Sequence, residues 1–215
     1  MIKVSTFSIG RHLIVSLLLS MLLAVIPAQG QTLSGKELVS TLRMGGYVIV
    51  MRHASSPRTP PDPGQANADN IQHERQLDET GRSTALALGQ AMRQLHIPIG
   101  QVLSSPTYRA LETIRLAKLG QPMTFPELGD SGQSMQADTT GTRAAWIIAT
   151  AATPPAAGTN TLMATHFPNI MEAFPQYSAA LTDGEALIFH PDGHGEAIMV
   201  ARVKIDEWPH MAAAP

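Results

Sequence analysis

Apolar residues follow two different patterns along this chain, and the two patterns alternate. The runs Tyr47 to Met51 and Thr161 to Thr165 show no polar alternation, as expected for strands buried on both faces of a parallel sheet. Between such runs, apolar residues recur every three or four positions, which predicts amphipathic helices. This order of segments predicts an α/β fold, a three-layer α/β/α sandwich with a mostly parallel central sheet.

The pattern divides the chain into elements separated by turn residues, without an internal repeat. Ser34 and Glu37 have the spacing of a capping box at the start of the first helix. The prolines of 55–70 make that segment an irregular loop, and 206–215 is predicted to be a tail. Helices are predicted over 31–43, 80–95, 107–119 and 142–152, and strands over 47–51, 101–104, 161–165, 185–190 and 197–203.

The N-terminus has a composition of its own. A basic start without acidic residues precedes the uncharged run Leu13 to Ile26, and small residues follow at Pro27 to Gly30. This combination is typical of a secretory signal peptide. The apolar run is short for a membrane-spanning helix, which needs about 20 residues. We therefore predict a signal peptide over 1–30 and one folded domain over 31–215, with a retained membrane anchor as the alternative.

Charge and cysteine content exclude several classes of protein. Loss of Lys3 and Arg11 with the signal peptide would lower the formal net charge from −2 to −4. A mildly acidic domain without a basic run is a poor candidate for nucleic-acid binding. The absence of cysteine excludes disulfides, a thiolate nucleophile and a cysteine-ligated zinc site. The domain is predicted to be periplasmic or secreted, without a stable membrane span once the signal is removed.

Candidate chemistry lies where predicted strands end. Arg52 and His53 follow the first strand, Arg109 lies near the start of the helix after the second, and His166 follows a later strand. In open α/β sheets, ligands bind outside the carboxyl ends of the strands. A guanidinium can hold two oxyanion oxygens at once, and an imidazole can act as a nucleophile. These residue types therefore indicate a site for a phosphoryl group.

At these residues the chain resembles the histidine phosphatase superfamily, which has the phosphoglycerate-mutase-like fold. The family's Arg-His-Gly motif corresponds to Arg52-His53-Ala54, and its Ser-Ser-Pro-x-x-Arg-Ala-x-x-Thr segment corresponds to Ser104–Thr113. Its helix start Leu-Thr-x-x-Gly is matched loosely by Leu77–Gly81, and its second histidine by His166. The resemblance covers most of 45–204.

The resemblance implies a role for each of these residues. His53 would be the nucleophile and form a phosphohistidine. Arg52, Arg109 and His166 would hold the phosphoryl oxygens, so that two guanidiniums and one imidazolium stabilise the transition state without a metal or a cofactor. Glu127, in the middle loop, would protonate the leaving oxygen, with Asp130 as the alternative acid.

Several other polar residues allow more than one interpretation. Arg58 could bind a substrate phosphate or be an exposed loop charge. Phe167 stands where the family usually has glycine, and would shape the substrate pocket. Glu74 and Glu79 are weaker candidates for the acid. No metal site is predicted, because the later histidines do not have metal-ligand spacing: His190, His194 and His210.

These observations together predict an exported phosphomonoesterase that acts through a phosphohistidine without a metal. Its substrate would be a phosphate on a small molecule, a sugar, a protein histidine or an envelope glycolipid. Export argues against a glycolytic mutase. Two alternatives remain open, namely a phosphotransferase or mutase that uses the same phosphohistidine, and a non-catalytic module of the same fold that binds phosphate or another anion.

Overall fold

The structure, a computed structural model, describes residues 32–59 and 72–213. The predicted signal peptide and most of the predicted loop 55–70 lie outside these residues. No helix in the described ranges is long and apolar enough to cross a membrane. The helices are α1 (Gly35–Met44), α2 (Glu79–Gln94), α3 (Tyr108–Ala117), α4 (Thr142–Ala151), α5 (Phe167–Ala173) and α6 (Glu207–Ala213). The strands are β1 (Val48–Arg52), β2 (Ile99–Ser104), β3 (Met123–Thr124), β4 (Asn160–Thr165), β5 (Ala186–Pro191) and β6 (Ala197–Val203), and Pro126–Leu128 forms a 3₁₀ turn.

These strands form one sheet in the order β3-β2-β4-β1-β5-β6. The pairs β3-β2, β2-β4 and β4-β1 are parallel, whereas β5 is antiparallel to β1 and to β6. The prediction of a mostly parallel sheet is confirmed. The turn that joins the antiparallel strands β5 and β6 contains Asp192-Gly193, a sequence typical of turns. Antiparallel neighbours need no crossover helix between them.

Helices cover both faces of the sheet, because successive strand residues point to opposite faces. On β1, Ile49 and Met51 pack into a core with α1, α2, α3 and α6, whereas Val48 and Val50 pack into a second core with α4 and α5. All four side chains are buried. The uninterrupted apolar pattern of β1 follows from this burial on two sides, and the predicted three-layer sandwich is confirmed.

Two short helices and one cap differ from the sequence-based expectation. The predicted tail is wrong, because 207–213 forms α6 and packs Trp208, 1 % exposed, into the first core. Pro209 and the short length hide the helical period of this segment. The helix α5 was not predicted either, although Pro168 in its first turn is tolerated there. The helix α1 begins after Ser34, whose side chain makes no capping hydrogen bond.

The register of the sheet brings the ends of three parallel strands together. Arg52 is paired with Thr165 across β1 and β4, and Ser104 with Ala164 across β2 and β4. The segments that leave these strands therefore emerge side by side at one edge of the sheet. This is the edge at which the sequence places its candidate chemistry.

Candidate active site

His53 leaves β1 with its backbone bonded on both sides. Its amide donates to the Thr165 carbonyl (3.0 Å), and its carbonyl accepts from the Gly184 amide (2.9 Å). The ring Nδ1 lies 2.7 Å from the Ala54 carbonyl oxygen. Because a carbonyl can only accept, Nδ1 carries the proton and Nε2 keeps its lone pair. Nε2 lies 3.4 Å from the Arg75 guanidinium.

The surroundings of His53 keep its ring neutral. Burial lowers the pKa of His53 well below 6.5, and the guanidinium of Arg109 lowers it further. The hydrogen bond to the Ala54 carbonyl acts in the opposite direction without outweighing these causes. A neutral imidazole with an Nε2 lone pair is the form that can attack phosphorus.

Arg109 lies in the first turn of α3 and is fully buried. Its Nη2 donates to Asp130 Oδ2 at 2.9 Å, and its Nη1 lies 3.4 Å from Glu74 Oε2. The two carboxylates compensate for the burial of a cation, whose desolvation alone costs several kcal/mol. The guanidinium is therefore held in position before any substrate binds.

His166 follows β4 and is hydrogen-bonded through both ring nitrogens. Its Nδ1 lies 3.2 Å from Arg109 Nη2, which can only donate, so Nδ1 is the acceptor. The Nε2 proton is shared between the hydroxyls of Ser105 (2.9 Å) and Thr107 (3.2 Å). Burial, and then the charge of Arg109, lowers the pKa of His166 well below 6.5. In the free site this residue is a neutral imidazole, not the imidazolium that the resemblance implies.

Arg52 ends β1, and three groups hold its guanidinium. Nη2 forms an ion pair with Asp183 Oδ1 (2.5 Å), and Nη1 donates to the Leu181 carbonyl (3.3 Å). The guanidinium carbon lies 5.6 Å from the centroid of the Phe167 ring, within cation–π range. Burial lowers the pKa of Arg52 and the Asp183 carboxylate raises it. The glycine that the family usually has in place of Phe167 would offer no such contact.

Both imidazoles line a cavity of about 260 Å³. The predicted substrate-binding residues Arg58 and Phe167 line it as well. Its walls are Arg52, His53, Ser56, Arg58, Arg75, Gln133, His166, Phe167 and Pro168. A larger groove of about 690 Å³ between α1 and α6 contains neither imidazole. The chemistry therefore identifies the smaller cavity as the candidate active site.

Arg75 is a cation of the site that sequence reasoning missed. It precedes α2, and its Nη2 is 3.4 Å from His53 Nε2. Burial lowers the pKa of Arg75 to about 10, which still leaves it charged at neutral pH. No sequence signal singles it out, because it lies neither at the end of a strand nor in the first turn of a helix.

The carboxylates are not arranged as the sequence suggests. Burial raises the pKa of Asp130, but the hydrogen bonds from Ser134 and Arg109 outweigh it, so that the pKa lies below its usual value. Asp130 is therefore an ionised anchor for Arg109. Glu127 is half-buried on the 3₁₀ turn and is not among the described residues that line the cavity. The structure does not place Glu127 beside the two imidazoles, and its role as the acid stays a prediction.

The positive charge of the site comes from side chains of the protein. Arg52 and Arg75 line the cavity, and Arg109 lies behind His166. Within 32–59 and 72–213, no group of three or more His, Asp or Glu side chains is arranged to hold a metal ion. The arrangement can bind a tetrahedral anion and present Nε2 of His53 to it.

Comparisons with known proteins agree with this geometry. The family model described as histidine phosphatase superfamily (branch 1) matches residues 48–128, which contain His53 and Arg109. The structure of the protein histidine phosphatase SixA complexed with tungstate is similar, with a TM-score of 0.54 and 15% identity over 75% of this chain and 98% of that one. A phosphoserine phosphatase variant from Entamoeba histolytica, in complex with phosphoserine, has a TM-score of 0.50 and 12% identity over 74% of this chain and 97% of that one. At these identities the two structures show the shared fold. A search of curated protein sequences finds no match.

Proposed function

We propose that this chain, whose residues 48–128 match the family model of the histidine phosphatase superfamily, is a phosphatase that acts through a phosphohistidine on His53. The observation that carries the proposal is the hydrogen bond between His53 Nδ1 and the Ala54 carbonyl. It leaves the Nε2 lone pair inside a cavity lined by cations. Phosphoryl transfer depends mainly on such positioning and on electrostatic stabilisation.

The proposed reaction has two steps. In the first, Nε2 of His53 forms a bond to phosphorus while the bond from phosphorus to the leaving oxygen breaks, and that oxygen takes the electron pair and a proton. In the second, water attacks phosphorus and gives a proton back to the group that protonated the leaving oxygen, the bond from phosphorus to Nε2 breaks with its electron pair returning to Nε2, and inorganic phosphate leaves. Arg52 and Arg75, which line the cavity, stabilise the negative charge on the phosphoryl oxygens in both steps, and Arg109 adds its positive charge from behind His166. The Ala54 carbonyl stabilises the positive charge of the phosphorylated ring by accepting from Nδ1.

The proton for the leaving oxygen depends on the substrate. An alkoxide leaves poorly without a general acid, and for an alkyl phosphate we retain Glu127 in that role. Protein phosphohistidine is a second candidate substrate, because an imidazole can take up its proton before it leaves and needs no carboxylic acid nearby. The ion pair of Asp130 with Arg109 favours this candidate, because it helps to hold the pKa of that carboxyl below its usual value and so removes Asp130 as a protonated acid. The similar SixA structure is that of a protein histidine phosphatase.

We place the protein in the periplasm or outside the cell, on the basis of the signal peptide predicted over 1–30. The substrate there is a phosphorylated small molecule, sugar or envelope glycolipid, with protein phosphohistidine as the second candidate. The exposed Arg58 binds a second anionic group of the substrate, and Phe167 packs against its apolar part. Three guanidiniums supply the charge that a metal supplies in other phosphatases, so the reaction requires no metal or cofactor.

The test is hydrolysis of p-nitrophenyl phosphate in the presence of EDTA. Because His53 is the nucleophile, His53→Ala should lower kcat by roughly a thousandfold or more, whereas His210→Ala, a change of an exposed histidine on α6, should leave it unchanged. The wild type should also accumulate a phosphoenzyme that is labile in acid and stable in alkali. Equal activity of His53→Ala and the wild type would overturn the assignment of the nucleophile.

Further outcomes distinguish the alternatives. Loss of wild-type activity on addition of EDTA would overturn metal independence. Phosphate binding without hydrolysis of an ester or of phosphohistidine would identify a non-catalytic anion-binding module. Transfer of the phosphoryl group to an added alcohol in preference to water would identify a phosphotransferase or mutase.

A further inference from the structure

We propose that Asp183 is a positioning residue that orients Arg52 for the transition state of phosphoryl transfer. This inference rests on the proposed function, because it assigns a part in that reaction. Asp183 lies in the loop between α5 and β5, and its Oδ1 is 2.5 Å from Arg52 Nη2. The Leu181 carbonyl in the same loop accepts from Nη1 of Arg52 at 3.3 Å. One loop therefore contacts both ends of the guanidinium fork.

Glu185 fixes the shape of this loop from within. Its side chain is buried, and its Oε2 accepts from the amide (2.7 Å) and the hydroxyl (2.8 Å) of Thr182. Its backbone carbonyl accepts from the Arg52 amide at 3.0 Å. Asp183 thus lies between two residues that are bonded to each other. The loop is also bonded to the backbone of the residue whose side chain it orients.

Arg202 holds Glu185 and the loop from outside the cavity. This residue lies on β6; its Nε donates to Glu185 Oε1, and its Nη1 donates to the Ala179 carbonyl at 2.7 Å. Arg202 is not among the described residues that line the cavity. Arg202, which does not line the cavity, therefore influences the orientation of the Arg52 side chain through its contact with Glu185 and the loop that carries Asp183.

Gly184 joins the same loop to the nucleophile. Its amide donates to the His53 carbonyl at 2.9 Å. Its φ is +72°, and a Cβ added there would lie 2.6 Å from Ile205 Cδ1. The loop consequently sets the position of Arg52 and of His53 relative to each other.

The Asp183 carboxylate has two opposing effects on the site. It neutralises part of the charge of Arg52, which weakens attraction for a phosphate ion. It also restricts rotation of a long side chain, which favours the one orientation that matches the equatorial oxygens of the transition state. Removal of the carboxylate should therefore leave phosphate binding intact or stronger while it weakens binding of a transition-state analogue.

The experiment measures the affinity of the full chain for inorganic phosphate and for orthovanadate by calorimetry. Vanadate can add to the His53 Nε2 and adopt a five-coordinate geometry like that of the transition state. Asp183→Asn should weaken vanadate binding roughly tenfold and change phosphate binding less than about twofold. Asp183→Glu should recover part of the loss. Asp206→Asn, an exposed aspartate outside this loop, is the control and should change neither affinity.

Arg202→Gln tests the connection to β6. It should weaken vanadate binding in the same way, and the double variant Asp183→Asn/Arg202→Gln should be no weaker than Asp183→Asn alone, because both changes act through one ion pair. Equal weakening of phosphate and vanadate, additive effects, or wild-type behaviour of Asp183→Asn would each overturn the proposal. If the wild type does not bind vanadate and does not hydrolyse any ester, the proposed function is overturned and this inference with it. Wild-type activity with an unaffected Asp183→Asn would overturn this inference alone.

Discussion

Nη2 of Arg109 lies 3.2 Å from Nδ1 of His166 and donates to it, so this imidazole is neutral before a substrate arrives. The same Nη2 is bonded to Asp130, which fixes the direction of the guanidinium. The buried cation therefore fixes the tautomer of the second histidine of the site, and burial of the ring together with the charge of Arg109 lowers its pKa. This relationship has consequences for stability and activity that can be measured separately.

Stability should fall as the pH is lowered below 6.5. The pKa values of His53 and His166 are both well below 6.5 in the folded protein, whereas the unfolded chain takes up protons near 6.5. The unfolded state therefore binds more protons below that pH, and each histidine should cost about 1.4 kcal/mol of the unfolding free energy at pH 5.5. Urea unfolding at pH 7.5 and 5.5 measures this loss. The variant His53→Gln/His166→Gln should show a smaller pH dependence, and an unchanged dependence would contradict the pKa shifts.

Removal of the anchor of Arg109 should destabilise the protein strongly. Asp130→Ala leaves a buried guanidinium with Glu74 as its described carboxylate partner at 3.4 Å, and we expect a loss of about 3–5 kcal/mol in the unfolding free energy. Asp206→Ala, which removes an exposed aspartate, should change it by less than about 0.5 kcal/mol. Chemical denaturation of the two variants is the measurement. Similar midpoints for both would mean that Asp130 does not anchor Arg109.

Gly81 should not tolerate a side chain although it lies in a helix. A Cβ at this position would lie 2.0 Å from the carbonyl oxygen of Ser55, two residues after His53. Gly81→Ala should therefore displace the segment after β1, which lowers both kcat and the free energy of unfolding. Helix propensity alone would predict the opposite for stability, a gain of up to about 1 kcal/mol. Ser83→Ala, on the exposed face of the same helix, is the matched control. A Gly81→Ala protein as stable and active as the wild type would show that Ser55 moves freely.

The role of Glu127 can be tested by varying the leaving group. If Glu127 protonates the leaving oxygen, Glu127→Gln should lower kcat for an alkyl phosphate by about a hundredfold. It should hardly affect p-nitrophenyl phosphate, whose phenolate leaves without a proton. Parallel kinetics with both esters give the comparison. An equal response of the two esters, or no response of either, would assign the proton to another group and favour phosphohistidine as the substrate.

Phe167 should affect substrate binding more than phosphoryl transfer. Its ring lies under the Arg52 guanidinium and lines the cavity. Phe167→Gly, which restores the residue that the family usually has, should raise KM for an aryl phosphate about fivefold, as expected for the loss of roughly 1 kcal/mol of ring contacts. Formation of the phosphoenzyme should persist. A kcat that falls with KM unchanged would indicate instead that the ring helps to orient Arg52.

Much of the fold could be predicted from the sequence, because the burial of most elements is recorded in the apolar pattern of their own residues. The buried strands β1 and β4 are continuous apolar runs, and α2 and α3 repeat their apolar residues at helical spacing, so that burial is visible in the pattern. The helix α6 could not be predicted in this way. Its one large buried side chain, Trp208, is stabilised by residues far away in the chain.

The sequence alone also determined which imidazoles and guanidiniums stand at the ends of the strands, because strand ends are marked by local pattern and the sheet brings them together. Only the tertiary structure decided which ring nitrogen of His53 is free, since that depends on the Ala54 carbonyl at 2.7 Å. It also placed Arg75 beside Nε2 and bound Asp130 to Arg109. Distances and protonation states arise from groups that meet in space, and no spacing along the chain records them.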